Sequence, residues 1–175
     1  MDKFTFSYPT KVYFGEGCAK EALSAELGKF GETVMLAYGG GSVRKNGIYD
    51  EIKDLLNQAG KKVVDFSGIM PNPTYAKVQE GAALAREQHV DFILALGGGS
   101  VIDCCKVVSA QAVLDEDIWD MEYVRGKFPM AGIPMGAVVT ASGTGAEMNS
   151  GAVITYEEKM WKGPVLGSGA LFDTL

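Results

Sequence analysis

The sequence is poor in histidine, in cysteine and in positive charge, and these shortages exclude several classes of protein. Lysine and arginine together number 16 against 22 acidic residues, and the formal net charge is −6. Nucleic acids and anionic membrane surfaces are bound through basic stripes, which this sequence lacks. The three cysteines are an odd number without the spacing of a metal site. We therefore expect neither nucleic acid nor membrane among the partners.

Long apolar runs are also absent, so no segment is predicted to span a membrane. The opening MDKFTFSYPT is too polar for the apolar part of a signal peptide. Cys104 and Cys105 are adjacent within an apolar helical pattern, which favours buried thiols in a reducing compartment. We therefore expect a cytoplasmic protein.

The remaining composition is that of a globular domain, with 47% apolar and 22% charged residues. Short apolar runs alternate with segments of helical period, which is typical of an α/β fold with a parallel sheet and helices on both faces. After a turn at Pro71–Thr74, Thr74 is the predicted N-cap of a helix that turns Val78, Ala82 and Ala85 inward. The predicted strands are 11–14, 33–38, 62–66, 91–96 and 133–140, the other helices are 18–27, 48–59 and 100–114, and a hairpin starts at 152–155.

Glycine is abundant, at 23 residues, and two of its clusters repeat one another. Leu36–Val43 has the sequence LAYGGGSV, and Leu94–Val101 has the sequence LALGGGSV. We call Gly39–Ser42 the first glycine turn and Gly97–Ser100 the second glycine turn. Each follows a predicted buried strand, so both are expected at the carboxyl edge of the sheet, where α/β proteins bind ligands.

Each glycine turn has the properties of an anion cradle. Glycines let backbone N–H groups face outward without a Cβ in the way, and a helix N-terminus adds partial positive charge. The serine is expected to cap the helix, and Ser100 and Asp103 have the spacing of a capping box, so Asp103 is either a cap or a contact to a ligand hydroxyl. Two cradles suit a ligand with two separate phosphates; plain strand-to-helix turns are the alternative. Neither turn is a G-x-G-x-x-G fingerprint or carries the lysine of a P-loop.

A third loop, Thr140–Asn149, follows the last predicted strand and is rich in small hydroxyl residues. Its Thr144 and Glu147 fit a second capping box. Together, Pro9–Gly17, Pro71–Thr74, the segment GGGSVIDCCK and this loop resemble the iron-containing (group III) alcohol dehydrogenases over essentially the whole chain.

The resemblance implies a Rossmann-like dinucleotide-binding domain of the fold shared with dehydroquinate synthase, and hydride transfer between small primary alcohols and aldehydes. Family members are considerably longer. Residues 1–175 are therefore expected to be the cofactor domain, truncated before a helical metal-binding domain.

The resemblance also implies where a nicotinamide dinucleotide would lie. Gly98, Gly99 and Ser100 would hold the pyrophosphate. Thr140 and Thr144 would contact the adenine and phosphate side of the dinucleotide. Asn72 would lie beside the adenosine.

The other implied contacts are on the ribose and nicotinamide side. Asn149 and Lys162 would lie there, although Lys159 is on the same segment and a solvated lysine is the alternative. Asp103 would face the nicotinamide ribose. The complete predicted cofactor-binding set is Gly39, Gly40, Gly41, Ser42, Asn72, Gly97, Gly98, Gly99, Ser100, Asp103, Thr140, Thr144, Asn149 and Lys162.

The first glycine turn predicts which dinucleotide is preferred. Family members that prefer NAD carry an aspartate where this sequence has Gly39. A carboxylate there would accept hydrogen bonds from the ribose 2′-hydroxyl and repel a 2′-phosphate. The turn offers N–H and O–H donors instead, which resembles the NADPH-dependent butanol dehydrogenase or aldehyde reductase branch. We predict NADP(H).

Metal ligands are not predicted in this chain. Family members hold iron or zinc with one aspartate and three histidines on the helical domain, and the metal polarises the carbonyl oxygen. His89 is the one histidine, at a helix end, and is expected at the surface. The acidic run Asp115–Glu122 lacks the spacing of a calcium loop, and is expected to be a solvated loop over Trp119 and Tyr123. The isolated chain is expected to bind cofactor without turnover.

Two alternatives stay open. The chain could be a non-catalytic nucleotide-binding module whose exposed surface drives self-association, including a homodimer. It could also be a glycerol dehydrogenase-like or dehydroquinate-synthase-like relative, although Thr140–Glu147 and the first glycine turn fit these less well.

Overall fold

The computed structural model describes residues 9–166, and strands and helices alternate along them. The strands are β1 (Thr33–Tyr38), β2 (Lys62–Phe66), β3 (Phe92–Gly97), β4 (Met135–Val139), β5 (Gly151–Tyr156) and β6 (Trp161–Leu166). The helices are α1 (Cys18–Glu26), α2 (Ser42–Lys45), α3 (Ile48–Gln58), α4 (Tyr75–Glu87) and α5 (Gly99–Val113), with short 3₁₀ or π turns at Leu27–Lys29, Asp120–Val124, Ala146–Met148 and Glu157–Lys159. Over the described residues, each helix is too short or too polar to cross a membrane.

Four strands form a parallel sheet in the order β2-β1-β3-β4, which confirms the predicted fold class. Every residue of β1 and β3 is buried, as expected for strands covered on both faces. From β1 the chain crosses to β2 on one side and then returns to β3 on the other side. The strand order therefore reverses between β1 and β3. In open α/β sheets, ligands bind outside the carboxyl ends of the strands at this switch point.

Helices cover both faces of the sheet, and alternate strand residues point to opposite faces. Met35 and Ala37 of β1 pack into the core under α4 and α5. Leu36 and Tyr38 pack into the core under α1 and α3. The sheet is thus a rigid layer that fixes where its carboxyl edge lies.

The start of α4 is the predicted one. Thr74 has extended backbone angles, and its side chain accepts a hydrogen bond from the Lys77 N–H at 3.2 Å. Val78, Ala82 and Ala85 are buried beneath the helix, as predicted.

The predicted hairpin is also present, as the antiparallel pair β5 and β6 outside the main sheet. Aromatic rings pack its turn end against the body of the protein. Tyr156 stacks on Tyr75 with ring centroids 4.3 Å apart, and Trp161 meets the edge of Trp119 at 4.6 Å.

The predicted first strand is wrong. Lys11–Phe14 is irregular, because no strand of residues 9–166 lies alongside to complete a ladder. The segment is held by side chains instead: Lys11 Nζ and Tyr13 OH donate to Glu26 Oε1 of α1, at 2.5 and 2.7 Å.

Candidate functional site

The two glycine turns lie next to each other at the carboxyl edge, on either side of the switch point. Val101 of α5 lies between them. A Cβ added at Gly39 would be 3.7 Å from Val101 Cγ2, and one added at Gly97 would be 2.7 Å from the same atom. The prediction that the two turns share one edge is confirmed, and one side chain separates them.

The fold does not itself require glycine at four positions of these turns. An added Cβ would meet nothing within 4 Å at Gly40, and its nearest neighbour would be at 3.9 Å at Gly41 and Gly98 and at 3.7 Å at Gly99. Gly98 has extended backbone angles (φ −95°, ψ −168°) that other residues also adopt. Tight turning therefore does not account for these glycines. Open space above a backbone is what a closely approaching ligand needs.

The start of α5 offers hydrogen-bond donors to that space. The helix begins at Gly99 and runs for 15 residues, with Gly98 as its N-cap. The first N–H groups of a helix have no partner within the helix, and its dipole favours an anion there. The second glycine turn therefore has the features of a phosphate site.

Serine capping was predicted at both turns and is wrong at both. Ser42 and Ser100 already lie inside the first turns of α2 and α5, because these helices begin at Ser42 and at Gly99. The N-caps are Gly41 and Gly98, without a side-chain hydrogen bond. The predicted capping role of Asp103 is therefore wrong as well.

The capping box predicted in the third loop is also wrong. Thr144 caps nothing, since Gly145, with φ of 70°, precedes a single 3₁₀ turn at Ala146–Met148. A left-handed glycine leads the chain into this turn and leaves the side chain of Glu147 without a capping partner.

The third loop nevertheless lies over the second glycine turn. Thr140 N–H donates to Gly97 C=O at 3.0 Å. The hydroxyl oxygen of Thr144 lies 3.8 Å from the position of a Cβ at Gly99. Thr140 and Thr144 are both exposed, and the Thr144 hydroxyl borders the open space.

Asn72 and Lys162 are brought together although 90 residues separate them. Lys162 Nζ donates to Asn72 Oδ1 at 2.7 Å, and both residues are exposed. Asn72 has φ of 56°, a left-handed conformation that asparagine tolerates better than most residues. Beside them, Thr155 N–H donates to Pro73 C=O at 2.9 Å, while the buried Thr155 Oγ1 has no hydrogen-bond partner within residues 9–166.

Asp103 and Asn149 are joined to a residue to which the sequence assigned no role, Lys106. Lys106 Nζ donates to Gly151 C=O at 2.7 Å and to Asn149 Oδ1 at 3.2 Å, and lies 3.8 Å from Asp103 Oδ1. Burial lowers the pKa of Lys106, and the nearby Asp103 carboxylate opposes that shift. Burial raises the pKa of Asp103, opposed by the Val153 N–H and by Lys106. The sequence signal for Lys106 was a single lysine within the largely apolar pattern of α5, which is buried from Cys104 to Ala112.

Two cations follow the first glycine turn. The Arg44 guanidinium lies 4.1 Å from the ring centre of Tyr49 and donates to the Tyr38 hydroxyl. Lys45 is exposed, and its Cε lies 3.9 Å from the position of a Cβ at Gly41. The turn and α2 themselves contain no carboxylate, while Asp65 of β2 accepts a hydrogen bond from the Tyr49 hydroxyl at 2.6 Å beside Arg44.

Within residues 9–166, no three His, Cys, Asp or Glu side chains are grouped closely enough to hold a metal ion. His89 is exposed beyond the end of α4, as predicted. In the acidic run, Asp117 Oδ1 accepts from the N–H groups of Trp119 and Asp120, at 2.9 and 3.2 Å, so this carboxylate organises the loop.

Comparison with known proteins gives a family match. Residues 9–172 match the family described as "Iron-containing alcohol dehydrogenase". The "Probable NADH-dependent butanol dehydrogenase 1" of Bacillus subtilis (strain 168) is 44% identical over 170 residues, covering 95% of this chain and 43% of that protein. The "NADPH-dependent aldehyde reductase" of Escherichia coli (strain K12) is 42% identical over 157 residues, covering 89% of this chain and 40% of that protein.

A solved structure shares the fold. The NADH-dependent butanol dehydrogenase A of Thermotoga maritima superposes with a TM-score of 0.90 at 37% sequence identity, covering 99% of this chain and 44% of that chain. The chain thus spans less than half the length of the relatives it matches.

Proposed function

Because the chain belongs to the iron-containing alcohol dehydrogenase family, we propose that it is the NADP(H)-binding part of a cytoplasmic enzyme that interconverts small primary alcohols and aldehydes. One observation carries the proposal. Both glycine turns flank the switch point of the sheet, and several of their glycines have room for a side chain, so the fold itself does not require glycine there. A dinucleotide, which carries phosphate groups and lies along the carboxyl edge, is the ligand that this arrangement suits.

The pyrophosphate is assigned to the second glycine turn. Gly98 and Gly99 leave its backbone open, and the first turn of α5 supplies N–H donors and the positive end of the helix dipole. Thr140 and Thr144, both exposed on the loop that lies over this turn, are proposed to donate from their hydroxyls to phosphate oxygens.

The remaining contacts are assigned to the rim of the edge. Asn72 and Lys162, already in hydrogen-bond contact, would lie along the dinucleotide. Asn149 and Asp103 would lie on the nicotinamide side.

NADP(H) is preferred over NAD(H) in this proposal. The first glycine turn has no carboxylate to repel a 2′-phosphate, and Lys45 lies along it. The names of the relatives include both NADH-dependent and NADPH-dependent enzymes, so the choice rests on this turn.

Titration of the chain with NADPH and with NADH, followed by nucleotide fluorescence, tests both parts of the proposal. Saturable binding with NADPH the tighter ligand is expected. Equal affinity for the two would overturn the preference, and no binding of either would overturn the site.

Gly39→Asp sharpens the test of the preference. The new carboxylate should weaken NADPH more than NADH. Gly39→Ala is the matched control, because both variants place a Cβ 3.0 Å from the Ile69 carbonyl oxygen and only one adds charge. Equal losses for both nucleotides in Gly39→Asp would remove the charge argument.

Within the reaction, this chain's residues bind and orient the dinucleotide, which when bound supplies or accepts the hydride. The metal implied by the family, iron or zinc, is assigned to no residue within 9–166. We therefore propose that this chain alone binds the dinucleotide without turnover. Oxidation of NADPH by the purified chain in the presence of butyraldehyde would refute this.

Self-association is the second candidate function, and one surface favours it. An open, largely apolar groove of about 700 Å³ lies between α1 and β4. The exposed side chains of Val12, Phe14 and Val139 line it. A homodimer that covers these side chains would elute above the monomer mass in size-exclusion chromatography with light scattering, and Phe14→Ser would return it to the monomer.

A further inference from the structure

The outer edge of β5 carries backbone groups that no strand within residues 9–166 satisfies. β5 pairs with β6 on one side, and Val153 lies opposite Pro164, which has no N–H. Val153 and its alternate neighbours Gly151 and Thr155 therefore direct their backbone groups away from β6.

Three groups from other parts of the chain satisfy this edge. Lys106 Nζ donates to Gly151 C=O at 2.7 Å, and Asp103 Oδ2 accepts from Val153 N–H at 3.0 Å. Thr155 N–H donates to the carbonyl before Thr74 at 2.9 Å. Two of the three partners are side chains of α5, three residues apart and therefore on one face of the helix.

We propose that Asp103 and Lys106 are positioning residues that together replace a neighbouring strand along the outer edge of β5. They thereby hold the start of the hairpin over the carboxyl edge of the sheet. Asn149 lies two residues before β5, and Lys162 lies on its partner strand. This inference deepens the proposed function and rests on it, because it concerns the geometry of the same dinucleotide site.

Lys106 acts only through the residues that it holds. It is 1% exposed, so a ligand at the edge of the sheet does not reach it. Its ammonium group also fixes Asn149, whose Nδ2 donates to Gly145 C=O at 2.8 Å. Asn149 therefore links α5 to the third loop.

The charges of the two residues depend on each other. A buried ammonium group needs acceptors and an opposite charge, and Asp103 supplies the charge from one turn earlier on α5. Removing Lys106 takes the partner from the part-buried Gly151 C=O, and removing Asp103 leaves the exposed Val153 N–H to water. Since aromatic rings hold the other end of the hairpin, the loss is expected to loosen the start of β5 without releasing the whole hairpin.

We call the contacts of Asp103 and Lys106 with β5 the anchor. Hydrogen exchange of the chain without nucleotide, measured by mass spectrometry, tests the anchor directly. In Lys106→Met and in Asp103→Ala, exchange in residues 151–156 should rise about tenfold, the factor expected for one lost hydrogen bond, while exchange in β1 stays as in the wild type. Asp103→Asn keeps an acceptor for Val153 N–H but removes the charge beside Lys106, so exchange in residues 151–156 should lie between that of the wild type and that of Asp103→Ala.

NADPH titration of the same variants tests whether the anchor positions the dinucleotide site. The dissociation constant should rise about tenfold in Lys106→Met, which removes no ligand contact. Ser109→Ala is the matched control. It removes another buried hydrogen bond of α5, from Ser109 Oγ to Ile133 C=O at 2.7 Å, which does not reach the hairpin.

The two measurements separate the possible failures. Unchanged exchange in residues 151–156 overturns the anchor. Raised exchange with unchanged NADPH affinity overturns the positioning role, as does an equal loss of affinity in Ser109→Ala. A wild-type chain that binds no nucleotide overturns the proposed function and the positioning role with it, while exchange still decides whether the anchor exists.

Discussion

Substitution of adjacent glycines in the second turn should separate the needs of the ligand from those of the fold. Gly98→Ala places its Cβ in open space, with the nearest atom at 3.9 Å. Gly97→Ala places its Cβ 2.7 Å from Val101 Cγ2 and 3.0 Å from Val101 Cβ. Valine in a helix has essentially one χ1 rotamer, so Val101 cannot turn aside.

The expected losses of stability follow from these distances. In Gly97→Ala, overpacking should reduce the free energy of unfolding by about 1–3 kcal/mol. For a chain of this size this corresponds to a fall in Tm of roughly 2–12 °C. In Gly98→Ala, alanine is a poorer N-cap than glycine by roughly 0.5 kcal/mol. The smaller entropy of the unfolded chain offsets about the same amount, so Tm should hardly change.

The loss of NADPH affinity is instead expected in Gly98→Ala, the variant whose stability should hardly change. A methyl group at Gly98 would push a phosphate away from the first N–H groups of α5. Loss of one charge-assisted hydrogen bond corresponds to about 1.5–3 kcal/mol, or roughly a ten- to hundredfold rise in the NADPH dissociation constant. Thermal unfolding by circular dichroism and NADPH fluorescence titration of both variants provide the assay. Wild-type affinity in Gly98→Ala, or a loss of stability as large as that in Gly97→Ala, would refute the idea that the space above Gly98 is kept for a ligand.

Three further predictions concern the scaffold. Thr74→Ala removes the acceptor for Lys77 N–H and should lower the free energy of unfolding in urea by about 1 kcal/mol, whereas Thr74→Ser should restore it; an unchanged urea midpoint in the alanine variant would contradict the capping role. Hydrogen bonds from Lys11, Lys29 and Tyr13 lower the pKa of Glu26 from 4.5 to about 2, so its contribution to stability is complete above pH 4.5 and is lost as the pH falls towards 2. Urea midpoints measured across that range should fall more steeply for the wild type than for Glu26→Gln, and parallel curves would show that Glu26 does not contribute. Burial raises the pKa of the Cys104 thiol to about 12 and that of Cys105 well above its usual value, so at pH 8 a thiol reagent should modify Cys18 rapidly and the other two cysteines only in urea; fast modification of all three in the native chain would contradict the buried placement.

The fold was predictable where burial alone determines the pattern. Thr33–Tyr38 is apolar throughout because β1 lies in the middle of the sheet, and the observed strand has the predicted bounds. Thr74 has a cap geometry that depends on its own side chain and the next three residues, so local chemistry was sufficient there.

Predictions failed where two local solutions compete. Gly98 and Gly99 allow α5 to start before Ser100, and a backbone start at glycine displaces the serine cap that the spacing indicated. Lys11–Phe14 has the composition of a strand, but strand formation depends on a neighbour that no local pattern describes.

The part of the candidate site that the sequence did not predict is its long-range bonding. The partner of the Asp103 carboxylate, Val153 N–H, is 50 residues away. Lys162 contacts Asn72 across 90 residues. Periodicity predicts which face of a helix is buried, but it does not specify which backbone group of a separate hairpin that face will meet.

The position of Val101 has a consequence for how a dinucleotide would be held. One methyl carbon of this residue is the nearest side-chain atom to the position of a Cβ at Gly39 and at Gly97, so Val101 lies beside both turns. We therefore expect a ligand group that displaces one turn to act on the other through Val101, which would couple the binding of the two ends of the dinucleotide. The affinity for the adenosine end of the dinucleotide should therefore depend on whether its pyrophosphate is present by more than the sum of separate contacts, and Val101→Ala should reduce this cooperativity even where each half still binds.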